Sequence, residues 1–170
     1  LVGSEMCIRD RLYGFTSIIT LDFKELHLHE MLNELIEALS KIVSIVQAQV
    51  LYIPNRSDAH SDHRAVFSAI MACSKNFRYP FIEQILMCEV ISETDFAPIL
   101  GENTFSPNYF IDISEVFIKK IEILKMFGSE LLPYPMTRNQ SAIEALNRYR
   151  GTLINAEYAE AFMSIKTIVR

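Results

Sequence analysis

The spacing of apolar residues changes from helical to strand-like between residues 25 and 53. From Glu25 to Gln49, apolar side chains recur at intervals of three and four residues, which places them on one face of a long amphipathic helix. Val50–Ile53 is then a short, wholly apolar run that is closed by Pro54. A run of this kind is typical of a strand that is buried on both faces of a parallel sheet.

The remaining segments continue this alternation of helices and strands. The predicted elements are a strand or extended segment at Phe15–Phe23, a helix from His63 to about Cys73, a strand at Glu83–Ile91, a loop at 92–110, a helix from Ser114 (its N-cap) to about Phe127, a helix at Ser141–Tyr149 that stops at Gly151, and a short helical turn at Glu157–Phe162. Helices alternating with buried strands indicate an α/β sheet with crossover helices. Ligands bind beyond the carboxyl ends of strands in such sheets, so we expect chemistry in the polar loop at residues 55–63.

Composition and charge fit one soluble globular domain. The chain has 170 residues, half of them hydrophobic, and a net charge of −5, which is enough chain to bury a core. It lacks the basic character that nucleic-acid binding needs, and no apolar run approaches the roughly 20 residues that cross a bilayer. We therefore expect no nucleic-acid partner and no stable membrane insertion. Cys7, Cys73 and Cys88 form no paired motif, which favours a reducing, cytoplasmic setting.

The first eleven residues have no periodicity that connects them to the rest of the chain. Residues 6–11 (M-C-I-R-D-R) back-translate readily to the transposase mosaic-end adapter that is used to build sequencing libraries. The alternative is an ordinary N-terminus that happens to match. We interpret residues 1–11 as adapter-derived and exclude them from fold reasoning. On this interpretation the coding sequence that preceded them has been lost.

Four side chains with metal-binding chemistry lie in the loop after the Val50–Ile53 strand. Asp58, His60, Asp62 and His63 fall within six positions, and imidazole and carboxylate groups are both ligands that zinc accepts. In the first turn of a helix, the helix dipole would keep His63 neutral, the form that binds metal. Asp58 or Asp62 could then accept the second N–H of a histidine and fix its tautomer.

An ordinary solvated helix start explains the same residues. Asp and Ser cap helices routinely, and two histidines fall close together by chance. Two imidazoles also fall short of a catalytic zinc site, which usually has three protein ligands and an open position. The spacing alone therefore leaves both interpretations open.

A resemblance to a known family adds weight to the metal interpretation. The string D-x-H-x-D-H at residues 58–63, between a buried strand and a helix, resembles the second motif of the LmbE-like (PIG-L) deacetylases. The R-G pair at 150–151 and Y-A-E-x-F at 158–162 resemble the closing segment of that family, and S-E-T at 92–94 stands in family order. The resemblance covers about residues 15–170. It implies a Rossmann-like, LmbE-like sheet.

The resemblance also implies an activity and roles for the site residues. Enzymes of this family use zinc to remove an N-acetyl group from an amino sugar, usually an N-acetylglucosamine unit of a conjugate. By motif position, His63 is the zinc ligand. His60 is a protonated imidazole that steadies the oxyanion and passes a proton to the leaving amine. Asp62 is the carboxylate that supports His60, and Asp58 is a partner behind the metal ligands. The implied cofactor is Zn²⁺ or another divalent metal, the implied partner is a small amino-sugar conjugate, and a homo-oligomer is compatible with the resemblance.

One part of the family pattern is missing. The family's first strand ends in an H-P-D-D motif that supplies the other zinc ligands and the general base, and no such string occurs in the 170 residues. Asp58 and the pair of His27 and His29 are the local substitutes, and we interpret the two histidines as solvated residues at the start of the long helix. We therefore expect a single domain over residues 12–170 that is N-terminally truncated, lacks a strand–helix portion and is inactive alone.

Two other functions remain to be weighed. The first is a member of the same family that binds a sugar conjugate without turnover, which the missing motif would favour. The second is hydrolysis of another bond, such as a phosphoester. Two-metal sites of that type gather more carboxylates than this loop offers, so the sequence disfavours it.

Overall fold

The computed structural model describes residues 12–98, 100–128 and 130–170, so the segment that we interpret as adapter-derived lies outside the described residues. Strands and helices alternate along the chain. The elements are α1 (Leu32–Val46), β1 (Val50–Ile53), α2 (Ser61–Ala72), β2 (Gln84–Cys88), a 3₁₀ turn (Gly101–Asn103), β3 (Tyr109–Asp112), α3 (Phe117–Lys125), α4 (Gln140–Thr152) and β4 (Ala159–Thr167). None of the helices in these ranges is long and apolar enough to cross a membrane.

The four strands form one mixed sheet in the order β1-β2-β4-β3. β1 and β2 are parallel, with Val50 opposite Gln84 and Ile53 opposite Met87. β4 runs antiparallel to β2, and its register shifts between Ile85 and Leu86. A parallel pair of strands requires a crossover connection, which α2 supplies between β1 and β2. The predicted α/β class with crossover helices is confirmed.

Contacts between residues divide the chain into two compact units. One contains the described residues up to Leu21 together with Ile111–Glu160, and the other contains Asp22–Phe110 with Ala161–Arg170. The loop that carries the candidate chemistry belongs to the second unit. The single domain expected over residues 12–170 stays a prediction.

Apolar side chains from α1, β1, α2 and β2 build the core of the second unit. The buried members of this cluster are Val43, Ile53, Ile70, Cys73, Tyr79, Ile82, Ile85 and Met87. The Tyr79 hydroxyl lies 2.6 Å from Ser40 Oγ, so the one hydroxyl in this cluster has a hydrogen-bond partner. This core holds the carboxyl ends of β1 and β2 side by side.

The first strand is less buried than its sequence predicts. Ile53 is 4% exposed, but Val50 and Tyr52 are 39% and 52% exposed. The prediction of a strand buried on both faces is therefore wrong for the Val50–Tyr52 face. The core cluster packs against Leu51 and Ile53, which lie on the opposite face of β1.

The first helix begins seven residues later than its periodicity predicts. Residues 24–31 form hydrogen-bonded turns rather than helix, and Leu26 adopts a left-handed backbone conformation with φ of 66°. A left-handed residue cannot continue a right-handed helix, so the helical spacing upstream of Leu32 is overridden. Residues 15–23, expected to be a strand or extended, form no strand.

Two predictions near the end of the chain are wrong. Ser114 does not cap a helix, because α3 begins at Phe117. Its hydroxyl donates instead to Asp112 Oδ1 at 2.6 Å, and this hydrogen bond lowers the pKa of the Asp112 carboxyl. The helical turn expected at Glu157–Phe162 is also absent, because residues 159–167 form strand β4. Pairing with β2 decides this element, since antiparallel neighbours fix its extended conformation.

Gly151 has a structural reason to be glycine. Helix α4 continues past it to Thr152, so Gly151 does not stop the helix. A Cβ at this position would lie 2.6 Å from the Ala156 carbonyl oxygen and 2.9 Å from backbone atoms of Glu157. The returning backbone before β4 therefore leaves no room for a side chain at Gly151.

We predict that Gly151→Ala lowers the free energy of unfolding by roughly 1–3 kcal/mol, because backbone atoms must shift to admit the methyl group. Urea denaturation measures the effect. Gly128→Ala is the matched control, because a Cβ there meets no atom within 4 Å. Equal stability of the two variants would contradict this account of residue 151.

Candidate active site

The candidate site lies where the loops after β1 and β2 meet. Because these strands are parallel, both loops leave the same edge of the sheet. The backbone N–H of Ala59 donates to the Glu93 carbonyl at 2.9 Å and joins the two loops. Arg64 Nη1 donates to the carbonyl oxygens of Asp58 and Ala59, both at 2.6 Å. These bonds fix the loop backbone that carries the predicted site residues.

The carboxylate of Asp58 is fully buried and has two side-chain partners. Its Oδ2 lies 2.8 Å from His63 Nδ1, and its Oδ1 accepts a hydrogen bond from Thr94 Oγ1 at 2.8 Å. Burial of an ionised carboxylate is costly without such partners. An ionised carboxylate only accepts hydrogen bonds, so His63 Nδ1 is the donor.

This contact sets the chemistry available to His63. With the proton on Nδ1, a neutral ring presents the lone pair of Nε2 on its other side. A metal-binding histidine has this arrangement, in which a carboxylate accepts the second N–H and orients the ring. The side chain of His63 is 27% exposed, so the ring is partly open to solvent. The predicted pairing of Asp58 with a histidine is present in the structure.

His60 lies beside His63 and caps α2. Its Nδ1 accepts a hydrogen bond from the backbone N–H of Asp62 at 3.1 Å. The two imidazole rings are stacked, with centroids 5.0 Å apart and planes inclined by 26°. Since Nδ1 is an acceptor, the neutral His60 ring carries its proton on Nε2. The protonated ring expected from the family pattern would have to give up this cap.

The Asp62 carboxylate is hydrogen-bonded to backbone amides, and the described hydrogen bonds include none between it and the His60 ring. Its Oδ2 accepts from the backbone N–H of Leu26 at 2.7 Å, and Oδ1 accepts from that of Leu28 at 3.2 Å. Asp62 is 8% exposed, so these are bonds to a buried carboxylate. A left-handed backbone conformation costs a non-glycine residue about 1 kcal/mol or more. The two hydrogen bonds from Asp62 explain how Leu26 keeps it.

Asp62 therefore positions the start of α2. Its carboxylate ties the turns before α1 to the first turn of α2, and its N–H holds the ring of His60. Asp62 therefore acts on His60 through its backbone N–H and not through the charge of its carboxylate. A catalytic role for Asp62 stays a prediction.

The described residues do not complete a zinc site. Within residues 12–98, 100–128 and 130–170, no three His, Cys, Asp or Glu side chains are grouped to hold a metal ion. His63 fits one ligand position, since its Nε2 is directed away from Asp58. His27 and His29 lie near Glu30 instead, at 3.2 and 3.8 Å. A catalytic zinc with three protein ligands would therefore need donors beyond those described.

Thr94 stands in the S-E-T string at 92–94, but no role in the site was predicted for it. Its Oγ1 accepts from the backbone N–H of Val90 at 2.9 Å and donates to Asp58. The sequence held a signal for it. A hydroxyl residue shortly after the end of β2 lies at the same sheet edge as the loop after β1.

No family model matches the chain. Solved structures share its fold. The conserved protein TT1542 from Thermus thermophilus superposes with a TM-score of 0.77 at 20% identity, over 99% of this chain and 74% of that one. N,N'-diacetylchitobiose deacetylase from Pyrococcus horikoshii gives 0.71 at 20% identity, over 96% of this chain and 62% of that one.

Two more distant structures share the same fold. GalB, the 4-carboxy-2-hydroxymuconate hydratase from Pseudomonas putida KT2440, gives a TM-score of 0.62 at 14% identity, over 99% of this chain and 72% of that one. The zinc-inhibited form of teicoplanin deacetylase Orf2 gives 0.60 at 12% identity, over 92% of this chain and 60% of that one. These similarities establish a shared fold, and they agree with the LmbE-like fold that the motifs imply.

The two histidines are predicted to be opposite tautomers. In the neutral state His63 should carry its proton on Nδ1, because Asp58 accepts it, and His60 should carry its proton on Nε2. Long-range ¹H–¹⁵N correlation spectra at alkaline pH distinguish the two forms. Asp58→Asn should remove the preference of His63, whereas the exposed control Asp22→Asn should change neither ring. An Nε2–H tautomer for His63 in the unsubstituted chain would contradict the assignment.

We predict that Asp62→Asn weakens the tie between the turns before α1 and helix α2. The asparagine amide has one acceptor oxygen and one NH₂ donor. One of the backbone N–H groups of Leu26 and Leu28 would therefore face the NH₂ group and lose its acceptor. The expected loss is about 1–3 kcal/mol of unfolding free energy, with faster hydrogen exchange at those two amides. Asp22→Asn serves again as the exposed control. Unchanged exchange at both amides would refute the tie.

Proposed function

We propose that this chain belongs to a metal-dependent hydrolase that removes an N-acetyl group from an N-acetylglucosamine-type conjugate. The observation that carries the proposal is the pair formed by buried Asp58 and His63, which leaves Nε2 of the histidine available as a metal ligand. The position of this pair at the carboxyl edge of a parallel strand pair supports it. Two proteins with the same fold are named as deacetylases, one of them in a zinc-inhibited form.

Each residue has a role in this proposal that follows from its contacts. His63 is the metal ligand, and Asp58 and Thr94 hold its ring in one orientation and one tautomer. The metal is zinc or another divalent ion, which would polarise the amide carbonyl and make hydroxide available near neutral pH. The remaining ligands and the general base are supplied by residues other than those described.

His60 acts on the substrate rather than on the metal. Its Nδ1 is held by the Asp62 backbone, so its Nε2–H is the group that can reach a substrate. This N–H would donate to the oxyanion that develops on the amide carbonyl. Passing a proton to the leaving amine would require the imidazolium, which forms when Nδ1 gives up the Asp62 N–H and takes up a proton. Asp62 positions His60 through its backbone and does not exchange protons with it.

Two other functions are alternatives to this proposal. A protein with an incomplete metal site would bind a sugar conjugate without turnover. The shared fold with a hydratase raises a second alternative, in which water adds to a carbon–carbon double bond. The sequence motifs favour the deacetylase, because D-x-H-x-D-H and Y-A-E-x-F both resemble that family.

Acetate release from N-acetylglucosamine conjugates tests the proposal. We predict that the chain alone releases none, because its described residues do not complete a metal site. A chimera that joins an H-P-D-D-bearing strand–helix segment in front of residue 12 should release acetate when zinc is present. In that chimera His63→Ala should lower kcat/KM by about 100-fold or more, a value in the range for loss of an essential catalytic group.

Matched histidine variants separate the possible results. His29→Ala removes an exposed histidine that lies beside Glu30 and should leave the rate unchanged. Acetate release that persists in His63→Ala would refute the proposed metal ligand. A chimera that binds zinc and the conjugate without releasing acetate would support the non-catalytic alternative.

A further inference from the structure

A groove between α1 and α2 lies on a different face of α2 from the candidate active site. Its volume is about 350 Å³, and it is lined by His29, Leu32, Ser61, Arg64, Ala65 and Ser68. The four lining residues of α2 recur at intervals of three and four, so they share one face of that helix. His63 stands outside this spacing. The groove is therefore a separate feature, to which the proposed function assigns no role.

The guanidinium of Arg64 gives the groove a permanent positive charge and unused donors. A guanidinium carries five N–H donors. The bonds from Arg64 to the carbonyl oxygens of Asp58 and Ala59 both come from Nη1. Within the described part of the chain, its Nε and Nη2 have no hydrogen-bond partner and no ion-paired carboxylate. These remaining N–H groups form a planar fork of the kind that binds two oxygens of a phosphate group.

Two further groups can donate to an anion in the groove. The hydroxyl of Ser61 lies one helical turn before Arg64 on the same face of α2, and the ring of His29 comes from the turns before α1. The Ser68 hydroxyl is not a third, because it donates to the Arg64 carbonyl at 2.9 Å. Donors on two separate segments suit a tetrahedral phosphate, which has more acceptor oxygens than a carboxylate.

The carboxylates that flank the lining residues in sequence do not line the groove. No Asp or Glu is among the described residues around it. Glu30 lies 3.2 Å from His27 Nδ1 but 3.8 Å from His29 Nε2, which is too far for a hydrogen bond to His29. The buried Asp62 carboxylate accepts two backbone N–H bonds. Arg64 therefore sets the sign of the charge that a ligand meets.

We propose that this groove binds a small phosphate monoester. Its phosphate group would lie on the fork of Arg64 and accept from Ser61 and His29. Its carbon portion would pack against Leu32 and Ala65, which supply the apolar part of the lining. The volume is near the lower end of the roughly 300–1,000 Å³ range of small-molecule sites, so a phosphate group alone does not fill it.

Arg64 connects this groove to the candidate active site. The same guanidinium holds the carbonyl oxygens of Asp58 and Ala59 through Nη1. A phosphate on its other N–H groups would restrict its motion and so stabilise the loop that presents the Asp58 carboxylate. The phosphate site itself does not depend on the proposed deacetylase activity, and neither proposal fails with the other.

Titration of the ¹⁵N-labelled 170-residue chain at constant ionic strength tests the proposal without metal and without turnover. The probes are glycerol phosphate, inorganic phosphate, acetate and glycerol. Glycerol phosphate should cause saturable shifts in the amide signals of the residues that line the groove. Acetate should bind about tenfold more weakly, and glycerol should cause no shift at these amides. An acetate affinity equal to that of glycerol phosphate, or no saturable shift at these amides, would overturn the proposal.

A carboxylate placed in the groove should exclude the phosphate. Ser61→Asp removes one donor and adds a negative charge beside Arg64, so glycerol phosphate should bind at least about tenfold more weakly. The substitution preserves the fold, since an acidic residue suits the first turn of a helix. Ser141→Asp makes the same change at an exposed residue in the first turn of α4 and should leave the affinity unchanged. Equal affinities in the two variants would refute the site.

The fork of Arg64 has a test of its own. Arg64→Lys keeps the positive charge but cannot bind two phosphate oxygens in one plane, so the affinity for glycerol phosphate should fall about tenfold. Arg78→Lys, at an exposed arginine away from the groove, is the control. Correlation spectra show that each variant is folded. An unchanged affinity in folded Arg64→Lys would contradict binding through the fork.

Discussion

The buried carboxylate of Asp58 is the constraint on which the candidate site depends. An uncompensated carboxylate in the interior destabilises a protein by several kcal/mol, so the fold must supply donors to both of its oxygens. One donor comes from the first turn of α2 and the other from the loop after β2. The need to satisfy one charge thus brings together three segments, one of which lies far from the others along the chain. The same need orients His63 and fixes which of its nitrogens is free.

The Asp62 carboxylate stabilises the outer side of the same helix turn. Asp58 fixes the first turn of α2 from the interior, and Asp62 ties it to the turns before α1. Both carboxylates are among the most buried polar groups of the second unit. The imidazole rings of His60 and His63 are stacked. His60 accepts a hydrogen bond from the backbone N–H of Asp62, and His63 donates one to Asp58. The arrangement suits a site whose geometry must be set before a ligand arrives.

Local patterns in the sequence were sufficient for the central elements. The change from helical to strand spacing located α1, β1 and α2, and the strand at Gln84–Cys88 lies within the predicted range. A contact between a histidine and an aspartate of the same loop was also expected, with Asp58 and Asp62 both possible acceptors, and the structure pairs His63 with Asp58. These features depend on residues that are close in sequence, which is what periodicity and motif spacing record.

The features that the sequence did not predict depend on distant partners. Asp62 binds backbone amides 34 and 36 positions away, and side-chain identity carries no information about such partners. Residues 159–167 form a strand because β2 offers an antiparallel edge, although their composition allows a helix. Thr94 joins the site because two parallel strands end at the same edge. Tyr52 is exposed because the core cluster packs on the opposite face of β1.

The central claim is that Asp58 holds His63 as a metal ligand through Nε2. Zinc titration of the chain labelled with ¹⁵N in its histidine rings tests it most directly. The account predicts weak binding in which Nε2 of His63 shifts, Nδ1 remains protonated toward Asp58, and the Nδ1 of His60 keeps its hydrogen bond to Asp62. A shift confined to other histidines, or loss of the His63 Nδ1 proton on zinc binding, would contradict it.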